Sequence, residues 1–354
     1  LRVIMLSNLI KEDNEKILEN AYLFDKIEIS KLFTTQFEMC CMVDNSATSC
    51  ISDYKTSDIF FSCANIISYS YLQSLTYIYA VAGLTLNLLS FWWHMKDKSK
   101  PWILLFLNLN LNDGLMSVYM YIILISNYVH YGDVAYVAML WRQTWLCSVA
   151  GSIMLMSQLM SNLTTLLISI DKFQCLVLNP MQRIGFKTNQ CIILLSVVYS
   201  ISFVLISIVY LDWETVQTSL CILVGNSVSM LFSVIYFGVS MLAFLVIVFT
   251  SFAIVRTLIT SSNSVKRKYD TKVMVRLTLV VLTNFLPILA LSIISVLSVI
   301  SIYIPPSIEA SIAFILFPLN ACINPMINTV TTRKFLSKHP LFILAIMYLN
   351  GGHK

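Results

Sequence analysis

Apolar positions along this chain gather into seven long runs, separated by short clusters of charged and turn-forming residues. The runs are Tyr69–Trp93, Trp102–Val129, Thr144–Val177, Cys191–Leu211, Val228–Ile254, Val273–Ile300 and Ser307–Val330. About 20 mostly apolar residues cross roughly 30 Å of hydrocarbon as an α-helix, and each run supplies them. None alternates apolar and polar residues with a period of two, which argues against a membrane β-barrel. Asn162 and several Ser/Thr positions interrupt the third run, but polar groups that face a helix bundle find partners there. The pattern predicts an all-α membrane protein, a seven-transmembrane helix bundle over residues 69–330.

The connections between runs divide by charge. Lys96, Lys98 and Lys100 follow the first run; Lys172, Arg183 and Lys187 follow the third; Arg256, Lys266, Arg267, Lys268, Lys272 and Arg276 surround the fifth connection; Arg333, Lys334, Lys338 and Lys354 follow the seventh. The alternate connections hold only Arg142, with Asp133, Asp212, Glu214 and Glu309. Cationic connections stay in the cytoplasm, so the N-terminus is expected outside and the C-terminus inside. Composition agrees: 58% of residues are apolar and 12% charged, against about 25% charged in soluble domains. The net charge of +5 is thereby a topology signal, the lipid bilayer is one partner, and nucleic acid is not.

Residues 1–36 carry a faint repeat. Leu1, Ile4, Leu6 and Leu9, with Asn8, have the spacing of a leucine-rich-repeat strand, and Phe24, Ile27, Ile29 and Leu32 repeat it with Ile27 standing for Ile4. That offset lies within the roughly 20–29-residue period of such repeats, and two units are too few to bury a core. They are expected to be the last coils of a longer array; the plainer reading is an unrelated amphipathic strand or two. Residue 1 is Leu and no secretory signal opens the chain, so it is expected to begin inside a longer protein. Residues 37–68 are expected to be an extracellular, Cys-rich segment, with Cys40, Cys41, Cys50 and Cys63. Disulfides are expected there, with three pairings open; metal binding is disfavoured without clustered His.

Inside the runs the chemistry-bearing residues are few. Cys147 opens the third run and Cys221 lies between the fourth and fifth; a bridge would tie that loop to the third helix. Cys175, Cys191 and Cys322 read as reduced packing residues. Asp113 is the only carboxylate of the second run, and intramembrane ionisable groups are costly and often functional. Asn87, Asn320 and Asn324 are placed to converge on it as a polar knot, either holding water or Na⁺ or merely locking helix packing. Asp171-Lys172 ends the third run as a switch pair or as a solvated ion pair at a helix end. Pro287 and Pro325 remove backbone hydrogen bonds and make hinges.

Taken in order, Asn87, Asp113, Cys147/Cys221, Asp171-Lys172-Phe173, Pro287 and Asn324-Pro325 resemble a rhodopsin-like G-protein-coupled receptor. Within that class the chain looks most like the leucine-rich-repeat-containing receptors, particularly the relaxin-receptor branch. Asp113–Tyr119, Leu140-Trp141 before Cys147 and Gly151-Ser152, Phe232–Phe249, Phe317–Pro325 and Thr331–Phe335 carry that likeness. Cys40-Cys41 and Cys63–Ile67 are similar to the hinge of its hormone-binding members.

The resemblance implies a cell-surface receptor, with no catalytic residues, for an extracellular protein or peptide hormone, relaxin-like or glycoprotein-hormone-like. Binding would favour a state that opens an inner groove to a heterotrimeric G protein, flanked by Lys187, Lys266, Arg267, Lys268 and Arg333. Residues 331–354 would form a cytoplasmic helix and tail. Departures from the pattern are Lys172 for a usual Arg, Leu86 for Gly, Tyr199 and Phe285 for Trp, and Asn328 for Tyr. Lys lacks the planar five-donor fork of Arg, so a divergent receptor, constitutively active or signalling-dead, is the alternative. A transporter would need inverted repeats or paired intramembrane charges, which are not seen. The four His at run ends or in loops disfavour an intramembrane enzyme. The Asn162-Leu163-Thr164 sequon lies within a span, out of reach of glycosylation.

Overall fold

The computed structural model describes residues 3–5, 31–34, 50–52, 67, 70–96, 101–129, 141, 144–179, 184–210, 216–217, 220–221, 223–224, 227–260, 283, 286–287, 289–290, 293 and 311–327. Its helices are α1 (Ser70–Met95), α2 (Pro101–Val129), α3 (Trp145–Phe173), α4 (Thr188–Tyr210), α5 (Ser227–Thr260) and α6 (Phe317–Pro325). The first five are long and apolar enough to cross a membrane. α6 belongs to the seventh apolar run and follows a π-helical stretch, Ile312–Leu316. Of the sixth run only scattered helical residues around Thr283 and Pro287 are described.

Helix limits and apolar limits differ because they have different causes. An apolar run stops where hydrocarbon would stop, whereas a helix stops where its backbone finds a cap. α2 starts on Pro101, whose missing N–H and fixed φ suit a first helical position. α3 is capped by Thr144, whose Oγ1 accepts from the Cys147 N–H at 3.2 Å. Before α4, Gln190 Oε1 reaches back to the Lys187 N–H at 2.9 Å, half of a capping box, so α4 begins three residues before the expected Cys191. α3 ends at Phe173 and passes into a π-helical turn, Gln174–Leu178, where the expected run continued to Val177. α5 extends six residues past Ile254. Its 34 residues span roughly 51 Å at about 1.5 Å each, more than the hydrocarbon core.

α2 and α3 form the centre: 67% of their most apolar stretches is buried, against 28%, 17% and 28% for α1, α4 and α5. The outer helices turn large apolar side chains outward, such as Trp92, Phe203 and Phe252, as elements solvated by lipid do. α1 approaches α2 closely at Gly83, where a Cβ would stand 2.3 Å from Ser117 Oγ, the small-residue contact that membrane helices favour.

Strands β1 (Val3–Met5), β2 (Lys31–Thr34) and β3 (Cys50–Ser52) make a parallel sheet in that order. Ile4 pairs with Leu32, not with Ile27 as the repeat suggested. Asp25, Lys26 and Glu28 make the earlier stretch a poor strand former, whereas Leu32-Phe33-Thr34 suits one. β3 falls inside the segment expected to be hinge alone and places Cys50 opposite Leu32. Between α4 and α5, β4 (Val216–Gln217) and β5 (Leu223–Val224) pair antiparallel.

Candidate functional site

At the N-terminal end of α3, Cys147 and Cys221 form a disulfide, with Cα atoms 5.2 Å apart. Cys221 follows Leu220 between β4 and β5 and takes φ 62°, a left-handed conformation that a non-glycine residue holds only when its surroundings over-determine it. The bridge does so together with Tyr119 of α2, whose hydroxyl donates to the Leu220 carbonyl at 2.9 Å. Ile67, just ahead of α1, is clamped to the same surface. Its N–H donates to Asn127 Oδ1 at 3.1 Å and its carbonyl accepts from Gln73 Nε2 at 2.8 Å. Ile67, Leu72, Trp141, Cys147, Leu220 and Cys221 share one buried apolar cluster. Ile67 is thus tied to the same end of the bundle as the disulfide.

Midway down lies the knot around Asp113, which is 1% exposed. Its Oδ2 accepts from Asn324 Nδ2 of α6 at 2.7 Å, and its Oδ1 from Ser161 Oγ of α3 at 2.9 Å. Asn320 donates to Ser161 Oγ at 3.2 Å, and Thr283 of the sixth run donates to Asn320 Oδ1 at 3.5 Å. Asn87 does not bond to Asp113, contrary to the expected convergence. Its Nδ2 donates to the carbonyls of Gly83 at 2.8 Å and Ala321 at 2.7 Å, because the close α1–α6 contact puts a main-chain acceptor nearer than the carboxylate.

Sequence reasoning missed Ser161 and Thr283. A signal existed: Ser157, Ser161, Thr165 and Ser169 recur every four residues and so lie along one face of α3. Ser157 donates to the Asn112 carbonyl at 2.7 Å, and Ser169 shares a 2.6 Å bond with Thr250 of α5. Tyr199, noted only as a departure, donates to Asn108 Oδ1 at 2.7 Å and ties α4 to α2.

At the C-terminal end of α3, Lys172 Nζ lies 2.9 Å from Asp171 Oδ2, as the sequence suggested, and 5.4 Å from the ring centre of Trp102. Pro287 is buried within a helical stretch, and Pro325 lies inside α6. Lys187 is exposed beside α4. Cys175, Cys191 and Cys322 are free thiols. Cys40, Cys41, Cys63, Phe285, Lys266, Arg267, Lys268 and Arg333 lie outside the described residues.

A helical bundle centred on α2 and α3, a bridge from the start of α3 to the α4–α5 connection, a buried acid tied to α6 and an acid–cation pair at the end of α3 define a helical membrane bundle. Residues 85–328 match the model of the 7 transmembrane receptor (rhodopsin family), and the chain belongs to that family of receptors, not to an enzyme family. It is a multi-pass membrane protein. Squid rhodopsin shares the fold, with a TM-score of 0.60 over 77% of this chain and 85% of that one at 17% identity.

Among similar proteins are the G-protein coupled receptor GRL101 of Lymnaea stagnalis, 25% identical over 86% of this chain and 28% of that protein, and Relaxin receptor 1 of Mus musculus, 24% identical over 68% and 34%. The follicle-stimulating hormone receptor of Felis catus is 23% identical over 81% and 42%. The chain therefore spans well under half the length of each of these relatives. All three are receptors of the leucine-rich-repeat-containing type.

Proposed function

We propose that this chain is the membrane-spanning part of a plasma-membrane receptor for an extracellular protein or peptide hormone, with its N-terminus outside, that acts on heterotrimeric G proteins. The observation that carries the reading is the linkage of α2, α3 and α6 through one buried carboxylate: Asn324 and Ser161 both donate to Asp113. A buried charge held by neutral donors from two other helices is costly to rearrange piecemeal. Helix movements are thereby coupled into a change between discrete states, and a ligand shifts such an equilibrium by its affinity difference between them. The names of the relaxin and follicle-stimulating hormone receptors support a hormone as ligand. Parallel strands β1 to β3 support leucine-rich coils over residues 1–36 leading into a hinge over 37–68. The Ile67 clamp supports a signal entering the 69–330 bundle from that side.

The donor set around Asp113 suits a hard monovalent cation such as Na⁺: the carboxylate, Ser161 Oγ, Asn320 Oδ1 and Asn324 Oδ1, the last buried without a hydrogen-bond partner. Such an ion would neutralise the carboxylate and steady the resting arrangement; the residues themselves position α6 against α2 and α3.

The Asp171–Lys172 pair favours a second reading, a receptor with altered output, because an ammonium lacks the fork with which Arg changes partners. The test is nucleotide exchange on purified heterotrimers of each G-protein class by the chain in lipid nanodiscs. Stimulation of at least one class is expected. Absence of stimulation by correctly folded chain favours the signalling-dead reading and overturns the first. Epitope tags at Leu1 and Lys354 check orientation: staining of the first, and not the second, in intact cells is expected.

A further inference from the structure

The carboxylate of Asp171 does more than pair with its neighbour. Its Oδ2 takes the Lys172 ammonium at 2.9 Å, and its Oδ1 accepts the main-chain N–H of Phe186, fifteen residues along, at 2.8 Å. Both partners leave the carboxylate 6% exposed. A Cβ on Gly185 would fall 2.2 Å from Oδ1 and 3.0 Å from Cγ. The carboxylate thus fills the space that any other residue at 185 would need, and it cannot swing aside without losing one partner. The Phe186 ring packs against the buried cluster of Leu105, Leu167, Cys191 and Ile254, so the loop is gripped on two sides. Lys172, stacked on Trp102, extends the grip to α2.

We propose that Gly185 is a positioning residue: by leaving room for the Asp171 carboxylate, it latches the inner connection between α3 and α4 to the base of α3 and restrains the resting state. The latch stands on this geometry alone. Its consequence for signalling rests on the receptor reading, since Ile184–Lys187 borders the inner face that a G protein would meet.

Hydrogen exchange at the Phe186 amide in nanodiscs tests the latch directly. A hydrogen bond to a charged acceptor protects by roughly tenfold or more, so D171A and G185A are each expected to speed exchange at Phe186 by about that factor. The double variant is expected to be no faster than D171A, because without the carboxylate the new methyl meets nothing closer than ordinary van der Waals contact, 3.4 Å. D171N, which retains an acceptor oxygen, is expected to keep most of the protection and serves as the conservative control for folding. Exchange in G185A within twofold of the parent, or a full additional effect of G185A on top of D171A, overturns the latch.

Basal nucleotide exchange on a heterotrimer is the second readout. Freeing the loop is expected to raise it by up to about tenfold, the shift of a two-state equilibrium that loses one such bond. A parent that couples, with unlatched variants that couple no more, overturns the restraining role. A parent and variants that all fail to couple count against the receptor reading, while the amide exchange still decides the latch.

Discussion

Replacing Asn324 by Ala isolates the contribution of the α6–α2 contact. Asn324 is fully buried and its Nδ2 is one of two side-chain donors, with Ser161 Oγ, that the structure places on the Asp113 carboxylate. Its loss removes a hydrogen bond to a charged group, about 1.5–3 kcal/mol, and leaves Asp113 Oδ2 buried without that donor. With an unfolding entropy of about 2.1 cal/mol/K per residue, a chain of 354 residues shifts by roughly 1.3 °C per kcal/mol, so a fall of about 2–4 °C in apparent Tm is expected. The free thiols of Cys191 and Cys322 are buried and that of Cys175 is partly exposed, so in a Cys175→Ser background a thiol-reactive fluorophore reads unfolding through Cys191 and Cys322. The decisive form is the cycle with Asp113→Ala. If the two side chains act through each other, N324A costs much less in the D113A background, with a coupling of about 1.5–3 kcal/mol. An N324A loss of equal size with and without Asp113 would refute the linkage and, with it, the coupling of α2, α3 and α6 through one carboxylate.

Three further outcomes follow from the same geometry. Cys147→Ser, Cys221→Ser and the double variant are expected to lose stability equally, because the bridge closes a separation of 74 residues, worth about 4.5 kcal/mol on chain-entropy grounds; additive losses in Tm would argue that each Cys acts alone. Tyr199→Phe leaves Asn108 Oδ1 without the hydroxyl that donates to it and is expected to cost about 1–3 kcal/mol; an unchanged Tm would mean that α4 is held by apolar contacts alone. Asn127→Ala removes the acceptor for the Ile67 N–H, and hydrogen exchange at that amide is expected to rise about tenfold. Unchanged protection there would show that the apolar cluster, not Asn127, fixes the entry to α1.

How much could be read beforehand depended on the range of the interaction. The first five runs became helices with ends shifted by six residues at most, since a span is a local property of composition. The acid–cation pair at Asp171 and Lys172 is adjacent in sequence and was legible for the same reason. Asp113 stood out because a carboxylate in hydrocarbon is costly, yet its partners were only half found. Asn324 is a strong donor at a suggestive place, whereas Ser161 is an ordinary residue whose role depends on which face of α3 meets α2. Asn87 failed as a partner because the choice between a carboxylate and a main-chain carbonyl turns on an ångström or two of helix approach, set by Gly83. The place of Gly185 is set by a contact fourteen residues away that no pattern in composition marks.

Four of these contacts share α3. The disulfide starts on Cys147 of α3, the knot uses Ser161, the α5 contact uses Ser169, and the acid–cation pair begins with Asp171. From Cys147 to Asp171 the helix spans roughly 36 Å at about 1.5 Å per residue, and it meets α2, α5, α6 and both flanking loops with polar bonds. A helix satisfies its own main chain and resists bending, so strain applied at Cys221 or Ile67 is not absorbed along α3. On the proposed receptor reading it is expected to emerge where side-chain bonds can be exchanged, at Asp113 and at Asp171. Packed interfaces of this kind have discrete arrangements rather than a continuum, which is why variants at these two acids should alter the balance between states, while variants along the lipid-facing side of α4 or α5 should alter stability alone.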